Sequence, residues 1–287
     1  MSSITSIPHD KEPNSVLMST SDGITTITLD RSHRRNAIDS PTAKKLYSAF
    51  LAFEDDPTQK VCIFYGANGT FCAGADLHEL AKVGQHYLAH GEQTVFESVK
   101  GRNCGPCGPT RLIVKKPVIC AVSGYAVAGG LELSLLGDIR IVEEDAVFGV
   151  FCRRFGVPLV DGGTVRLQAI VGLGRALDMI LTGRPVSAQE ALSMGLANKV
   201  VPKGKALEEA QKTARLLTSF PQSCMNADRN SCYYAAYDAK SFEDALSNEY
   251  DHGTKVVVSE SIKGAAKFSA GEGRHGIFKD YPPDGKL

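Results

Sequence analysis

Two short apolar segments, Lys60 to Tyr65 and Pro117 to Val122, each run into a turn of small residues and then into a helical stretch. A short strand that is apolar along its whole length is covered on both faces, as in a parallel sheet flanked by helices. Strand, small-residue turn and helix, repeated, place the chain in the α/β class. The elements around these two segments agree. Val16 to Thr20 and Ile24 to Leu29 read as a hairpin across Ser21-Asp22-Gly23. Ser40 reads as an N-cap with Pro41 at the first helical position, before Ala43, Leu46, Tyr47, Phe50 and Phe53 at helical spacing. Gly130 to Leu136 reads as a helix and Asp138 to Val142 as a strand.

From about Lys203 onward the strand signals vanish. Ala206 to Leu217, Gln222 to Ala236, Ser241 to Val257 and Ser259 to Phe268 read as helices. The expected organisation is a polar, disordered segment 1–13, an α/β core 14–202 and a helical region 203–287. No internal repeat of fixed period is present.

Bulk properties exclude several classes of function. The 287 residues are enough to bury a sizeable core, and 43% of them are hydrophobic. Lysine and arginine (32) balance aspartate and glutamate (32), so no electrostatic footprint for nucleic acid or an anionic membrane surface is expected. No apolar run approaches the roughly 18 residues of a membrane span. The N-terminus carries Asp10 and Glu12 before any arginine, unlike a presequence. Cysteines such as Cys62 and Cys120 sit singly in apolar segments, which reads as reduced, buried thiols. A cytoplasmic protein is expected. The C-terminal Gly285-Lys286-Leu287 has the basic-then-leucine form of a peroxisomal address, with glycine where serine or alanine is usual.

The two strand-to-helix stretches carry the chemistry. In Ala67-Asn-Gly-Thr-Phe-Cys-Ala-Gly-Ala-Asp-Leu77 a helix is expected to start near Asp76, and free N–H groups at such a start can face an anion or a developing oxyanion. In Ala121-Val-Ser-Gly-Tyr-Ala-Val-Ala-Gly-Gly-Leu-Glu-Leu133, Gly129 and Gly130 permit close approach of a backbone or ligand, and a carboxylate follows on the first helical turn. Taken singly, each stretch is equally an ordinary, tightly packed connection.

Together they resemble the paired signatures of the crotonase (enoyl-CoA hydratase/isomerase) family, in Phe71-Cys-Ala-Gly-Ala-Asp-Leu77 and Gly124-Tyr-Ala-Val-Ala-Gly-Gly-Leu-Glu132. The resemblance runs from about Val16 to Phe278 and takes in Arg35-Asn-Ala37, Asp138-Ile-Arg140, Phe148-Gly149, Gly162-Gly-Thr164 and Leu181-Thr-Gly183. It implies a spiral of ββα turns with C-terminal helices that build a homotrimer or hexamer. It implies an acyl-CoA substrate, no metal and no separate cofactor, because coenzyme A arrives as part of the substrate. An oxyanion hole falls on the N–H groups of Ala75 and Gly129. Ala75, Asp76, Leu77 and His78 then border the substrate together with Gly130 and Cys152, and Arg35, Ala37 and Ala73 lie near the adenine end. The chemistry fits those residues: drawing electron density onto a thioester oxygen acidifies the α-carbon, and each well-placed donor contributes roughly 3 kcal/mol to the transition state.

Glu132 matches the first catalytic glutamate of the hydratases. Its helix dipole favours ionisation, its leucine neighbours disfavour it, and sequence leaves the outcome open. The second hydratase glutamate matches Cys152, in Phe148-Gly-Val-Phe-Cys-Arg-Arg-Phe-Gly156, and a neutral thiol does not shuttle protons as a tuned carboxyl does. Asp161 is either a second carboxylate, as in the dienoyl-CoA isomerase branch, or an N-cap for the helix near Gly163. Arg153 and Arg154 either hold an anionic acyl group or pair with surface acids. Enoyl-CoA chemistry at the α,β positions is the leading expectation. Isomerisation, decarboxylation, thioester hydrolysis and non-catalytic CoA binding are the alternatives.

Three further patterns point elsewhere. Cys104-Gly-Pro-Cys107 has a redox dithiol's spacing, but Gly108-Pro109 stands where a helix should begin. His78-Glu79 lacks the second histidine of a zinc protease, with Lys82 in its place. His86 and His90 read as a solvated helix face. The loop from His86 to Thr110, expected to shape the acyl pocket, carries no readable code.

Overall fold

The computed structural model describes residues 12–90 and 96–271. Most of segment 1–13 and the C-terminal tripeptide lie outside the described residues. Strands β1 (Val16–Ser21) and β2 (Ile24–Leu29) form the expected hairpin, with Ser21 directly opposite Ile24. The turn is therefore only Asp22-Gly23, and their φ values of 52° and 77° are those of the two-residue turn whose twist matches the strands.

Helix α1 (Ser40–Asp55), β3 (Val61–Gly66), α2 (Leu77–Ala89), β4 (Val118–Val122), β5 (Tyr125–Val127) and α3 (Gly129–Ser134) follow. Then come β6 (Ile139–Glu143), β7 (Val147–Gly149), α4 (Gly163–Val171), α5 (Leu173–Thr182), β8 (Val186–Ser187), α6 (Ala188–Ser193) and β9 (Lys199–Val201). Every described element after β9 is helical: α7 (Ala206–Ser219), α8 (Gln222–Tyr237), α9 (Phe242–Val256) and α10 (Ile262–Ser269).

One sheet runs in the order β1-β2-β3-β4-β6-β9, and every pair after the hairpin is parallel. A smaller sheet runs in the order β5-β7-β8. Val61 to Phe64 and all of β4 are buried, which is why these segments carry no polar alternation. Phe50 of α1, Phe64 of β3 and Phe71 stack edge to face, with centroids 5.5 and 5.1 Å apart. Phe71 thereby anchors the glycine-rich stretch that follows β3 in the core.

The N-cap of α1 is Asp39, not Ser40: its carboxylate accepts the Thr42 N–H at 2.9 Å, so Ser40 is already helical and Pro41 occupies the second position. Asp39 serves a second contact as well. Arg31, only 3% exposed, reaches Glu12 at 2.6 Å, Asp39 at 2.9 Å and Asp76 at 3.5 Å, tying the end of β2 to the starts of α1 and α2. A guanidinium buried this deeply requires such partners.

The chain divides into two compact units, Met1–Ala214 and Arg215–Leu287. In the second unit Ser241 caps α9 through the Asp244 N–H at 3.1 Å. A single π turn, Val257–Ser261, joins α9 to α10, so the break expected before Ser259 is absent. Glu260 in that turn accepts the Ser223 and Cys224 N–H groups at 3.1 and 2.8 Å, capping the start of α8 from a distance. No helix of the described residues is long and apolar enough to cross a membrane.

Candidate active site

The stretch after β3 is held like a strand between two neighbours. Ile38 donates to the Gly74 carbonyl and its own carbonyl accepts the Asp76 N–H, both at 2.8 Å. On the other side Cys72 donates to Tyr125 at 2.8 Å and accepts from Val127 at 3.1 Å. Extended backbone alternates its donors, so with the Asp76 N–H directed at Ile38 the Ala75 N–H faces away from it. Ala75 N–H has no protein acceptor among the described residues, nor does the N–H of Gly129. Gly129 opens α3, where the first amides lack partners within the helix.

These two donors are brought close by glycine. A Cβ added to Gly74 would fall 2.9 Å from Gly129 N, and one added to Gly129 would fall 3.5 Å from Ala75 N and 2.6 Å from Cys107 Sγ. Ala128 between them holds φ 53° and ψ −126°, a backbone region that disfavours a side chain by about 1–3 kcal/mol. That strained residue turns the chain from β5 into α3.

Both amides border a cavity of about 120 Å³ that also takes in Ala73, Leu77, Glu132, Cys152 and Asp161. Seven of the residues expected from sequence thus share one cavity. The others lie outside its wall. Asp76 turns its carboxylate to Arg31 and accepts the His78 N–H at 3.1 Å, while His78 itself is exposed. Gly130 is buried against the Cys72 carbonyl. Arg35 is exposed and bound to Ala73 only through its carbonyl, and Ala37 gives its carbonyl to Arg31.

Glu132 is 3% exposed, and its Oε1 accepts the N–H groups of Asp161 and Gly163 at 2.9 and 2.8 Å. Its Oε2 has no hydrogen-bond partner among the described residues. Burial, then the nearby charge of Asp161, push its pKa up to about 8, against the pull of the two amides and Arg166. Desolvation therefore wins the contest left open by sequence, and the carboxyl is poised near neutral pH to take or give a proton.

Asp161 does not cap α4. The N-cap there is Gly162, at φ 89°, without a side-chain cap. Asp161 Oδ1 instead accepts the Cys107 N–H at 3.0 Å and a short hydrogen bond from the Thr110 hydroxyl. Those bonds fix the 105–110 turn against the cavity. Cys152 is 8% exposed, and burial, then the charge of Glu132, raise its thiol pKa, so it stands in the wall as a neutral group.

Sequence reading missed Cys107 and the aromatic part of the wall, Phe96, Phe151 and Phe155. The Cys104–Cys107 spacing belongs to a tight turn in which Gly105 and Gly108 exchange both backbone hydrogen bonds, at 2.8 and 2.9 Å. Burial and the Asp161 charge hold the Cys107 thiol well above its usual range, the opposite of a redox dithiol. The two arginines of the 151–155 turn, Phe151–Phe155, pair with no surface acid among the described residues. Arg153 donates to the Ile180 carbonyl at 3.1 Å and Arg154 lies 4.7 Å from the Phe151 ring centroid. Among the described residues no group of three or more His, Cys, Asp or Glu side chains is arranged to hold a metal ion.

Comparison with known proteins agrees with this architecture. The family model described as enoyl-CoA hydratase/isomerase matches residues 19–269. The chain is similar to a probable enoyl-CoA hydratase of Mycobacterium bovis, 35% identical over 69% of this chain and 72% of that protein. It is similar to a carnitinyl-CoA dehydratase of Salmonella arizonae, 39% identical over 67% of this chain and 69% of the other. The fold is similar to the crystal structure of an enoyl-CoA hydratase from Mycobacterium tuberculosis, with TM-score 0.78 and 30% identity over 89% of this chain and 96% of that one. With its signature segments gathered at one cavity and its fold and sequence matched along most of their length, the chain belongs to the crotonase, or enoyl-CoA hydratase/isomerase, family.

Proposed function

We propose that the protein acts at the α,β positions of an acyl-CoA thioester by stabilising an enolate. The thioester oxygen sits between the N–H groups of Ala75 and Gly129. Glu132 moves the proton at the reacting carbon, with Asp161 as the second carboxylate. The reading rests on one observation: two backbone amides without protein acceptors, from separate segments, border the same cavity as a buried carboxyl. Rigid, uncharged donors of this kind meet developing negative charge without reorganising. No separate cofactor is required, because coenzyme A enters as part of the substrate. We further propose a homotrimer or hexamer, since Phe242, Tyr250, Val258 and Ile262 of the helical unit are exposed.

Double-bond isomerisation is the second reading, favoured by Cys152. With a protonated thiol in the wall, only Glu132 and Asp161 are carboxyl groups at this cavity among the described residues. One tuned carboxyl can remove a proton at one carbon and return it at another, whereas hydration also requires a group to direct water. Incubation with crotonyl-CoA, a 3-enoyl-CoA and a malonyl-type CoA separates these chemistries. Turnover of one of the two enoyl thioesters is the expected result. Tight binding of all three with turnover of none would make the chain a CoA-binding protein without catalysis.

A further inference from the structure

Glu132 and Asp161 both border the cavity, and each has one carboxyl oxygen held by two donors. In Asp161 that oxygen is Oδ1, which accepts the Cys107 N–H at 3.0 Å and the Thr110 hydroxyl. Both of its lone pairs are then taken, so a proton that Asp161 exchanges with a bound molecule passes through Oδ2. Asp161 also links the two carboxyls, because its own N–H is one of the donors to Glu132 Oε1.

Thr110 is the member of this arrangement that the proposed reaction leaves without a part. It is 1% exposed and stands outside the cavity wall. Its carbonyl accepts Arg166 Nη1 at 2.6 Å, and Pro109 precedes it in the single 3-10 turn Pro109–Arg111. A Cβ on Gly105 would collide with the Thr110 hydroxyl and fall 2.8 Å from Asp161 Oδ1, so the glycine leaves room for the two groups to meet. The same turn carries Cys107, whose thiol interacts with the Asp161 carboxyl and packs against Gly129. The last torsion of an aspartate is broad and nearly two-fold, so a carboxyl held by one amide can still rotate. A second donor on the same oxygen fixes its plane.

We propose that Thr110 is a positioning residue for proton transfer, its hydroxyl fixing the Asp161 carboxyl so that Oδ2 serves the reacting carbon. The proposal rests on the enolate reading above and adds a residue that acts through Asp161. It is tested by steady-state kinetics with crotonyl-CoA and 3-hexenoyl-CoA on the parent, Thr110→Val, Thr110→Ser, Asp161→Asn and the Thr110→Val, Asp161→Asn double variant. Valine keeps the shape of threonine and removes the hydroxyl. Thr110→Val is expected to lower kcat about tenfold or more, the scale of a hydrogen bond to a carboxylate, with KM changed less than about twofold. Serine, which keeps the hydroxyl, is expected to restore most of that loss. Valine is expected to cost nothing further once Asp161 is asparagine. Thr110→Val with the parent's kcat, Thr110→Ser as slow as Thr110→Val, or the same added loss in the double variant would each overturn the proposal and leave the enolate reading intact. Parent protein that turns over neither thioester would overturn both.

Discussion

Glu132→Gln is expected to lower turnover at least about a hundredfold, the scale on which a positioned acid or base contributes, while making the protein more stable at alkaline pH. The two effects share one cause. Burial lifts the Glu132 pKa from 4.5 to about 8, so the folded chain holds this proton over a range in which the unfolded chain has released it. Below about pH 4.5 both states are protonated and the group makes no difference. As pH rises toward 8 the unfolded state loses its proton first, and folding is progressively disfavoured. Above that range the difference levels off, on the order of 5 kcal/mol. Glutamine does not titrate, and its carbonyl still accepts the Asp161 and Gly163 amides. Urea titrations at pH 5 and pH 9 should show the variant gaining on the parent mainly at the higher pH. The parent's kcat/KM profile should inflect near pH 8, and that inflection should vanish in the variant. Turnover that survives intact would remove Glu132 from the mechanism, and a stability difference independent of pH would remove its raised pKa.

Gly130→Ala carries a large expected cost to folding that does not depend on pH. Alanine in a helix ordinarily gains up to about 1 kcal/mol over glycine. Here the new methyl would lie 2.0 Å from the Cys72 carbonyl oxygen and 2.7 Å from its carbon. The obstacle is backbone, pinned by hydrogen bonds to Tyr125 and Val127, and cannot rotate aside. A loss of at least about 3 kcal/mol is expected, at the upper end for overpacking, read as a lower midpoint in urea. The control is Gly253→Ala in α9, where nothing lies within 4 Å of the added methyl and a small gain is expected. Equal effects at the two positions would mean that α3 does not press on the segment carrying Ala75.

How far sequence reaches differs between elements for physical reasons. The buried strands β3 and β4 were legible because a strand covered on both faces must be apolar throughout, and the hairpin because Asp-Gly suits its turn. The starts of α2 and α3 were legible because close backbone approach demands small residues, which leave a dense, recognisable pattern. The α1 cap was misplaced by one residue because Asp39 and Ser40 are both good caps, and only the buried Arg31 decides between them. Asp161 was ambiguous for a similar reason. Its partners, Cys107 and Thr110, lie far away in sequence, in a turn with no periodicity to read. The aromatic wall went unseen because its members come from unrelated segments and none of them alone differs from a core residue.

The central claim concerns charge on one oxygen, and its most direct measurement is the infrared difference spectrum of a carbonyl-labelled acyl-CoA bound to the protein. Two N–H donors drawing electron density from the thioester must weaken its C=O bond. The account predicts a stretching band displaced to lower frequency than that of the same thioester free in water. A band at the free frequency, with the ligand fully bound, would contradict it.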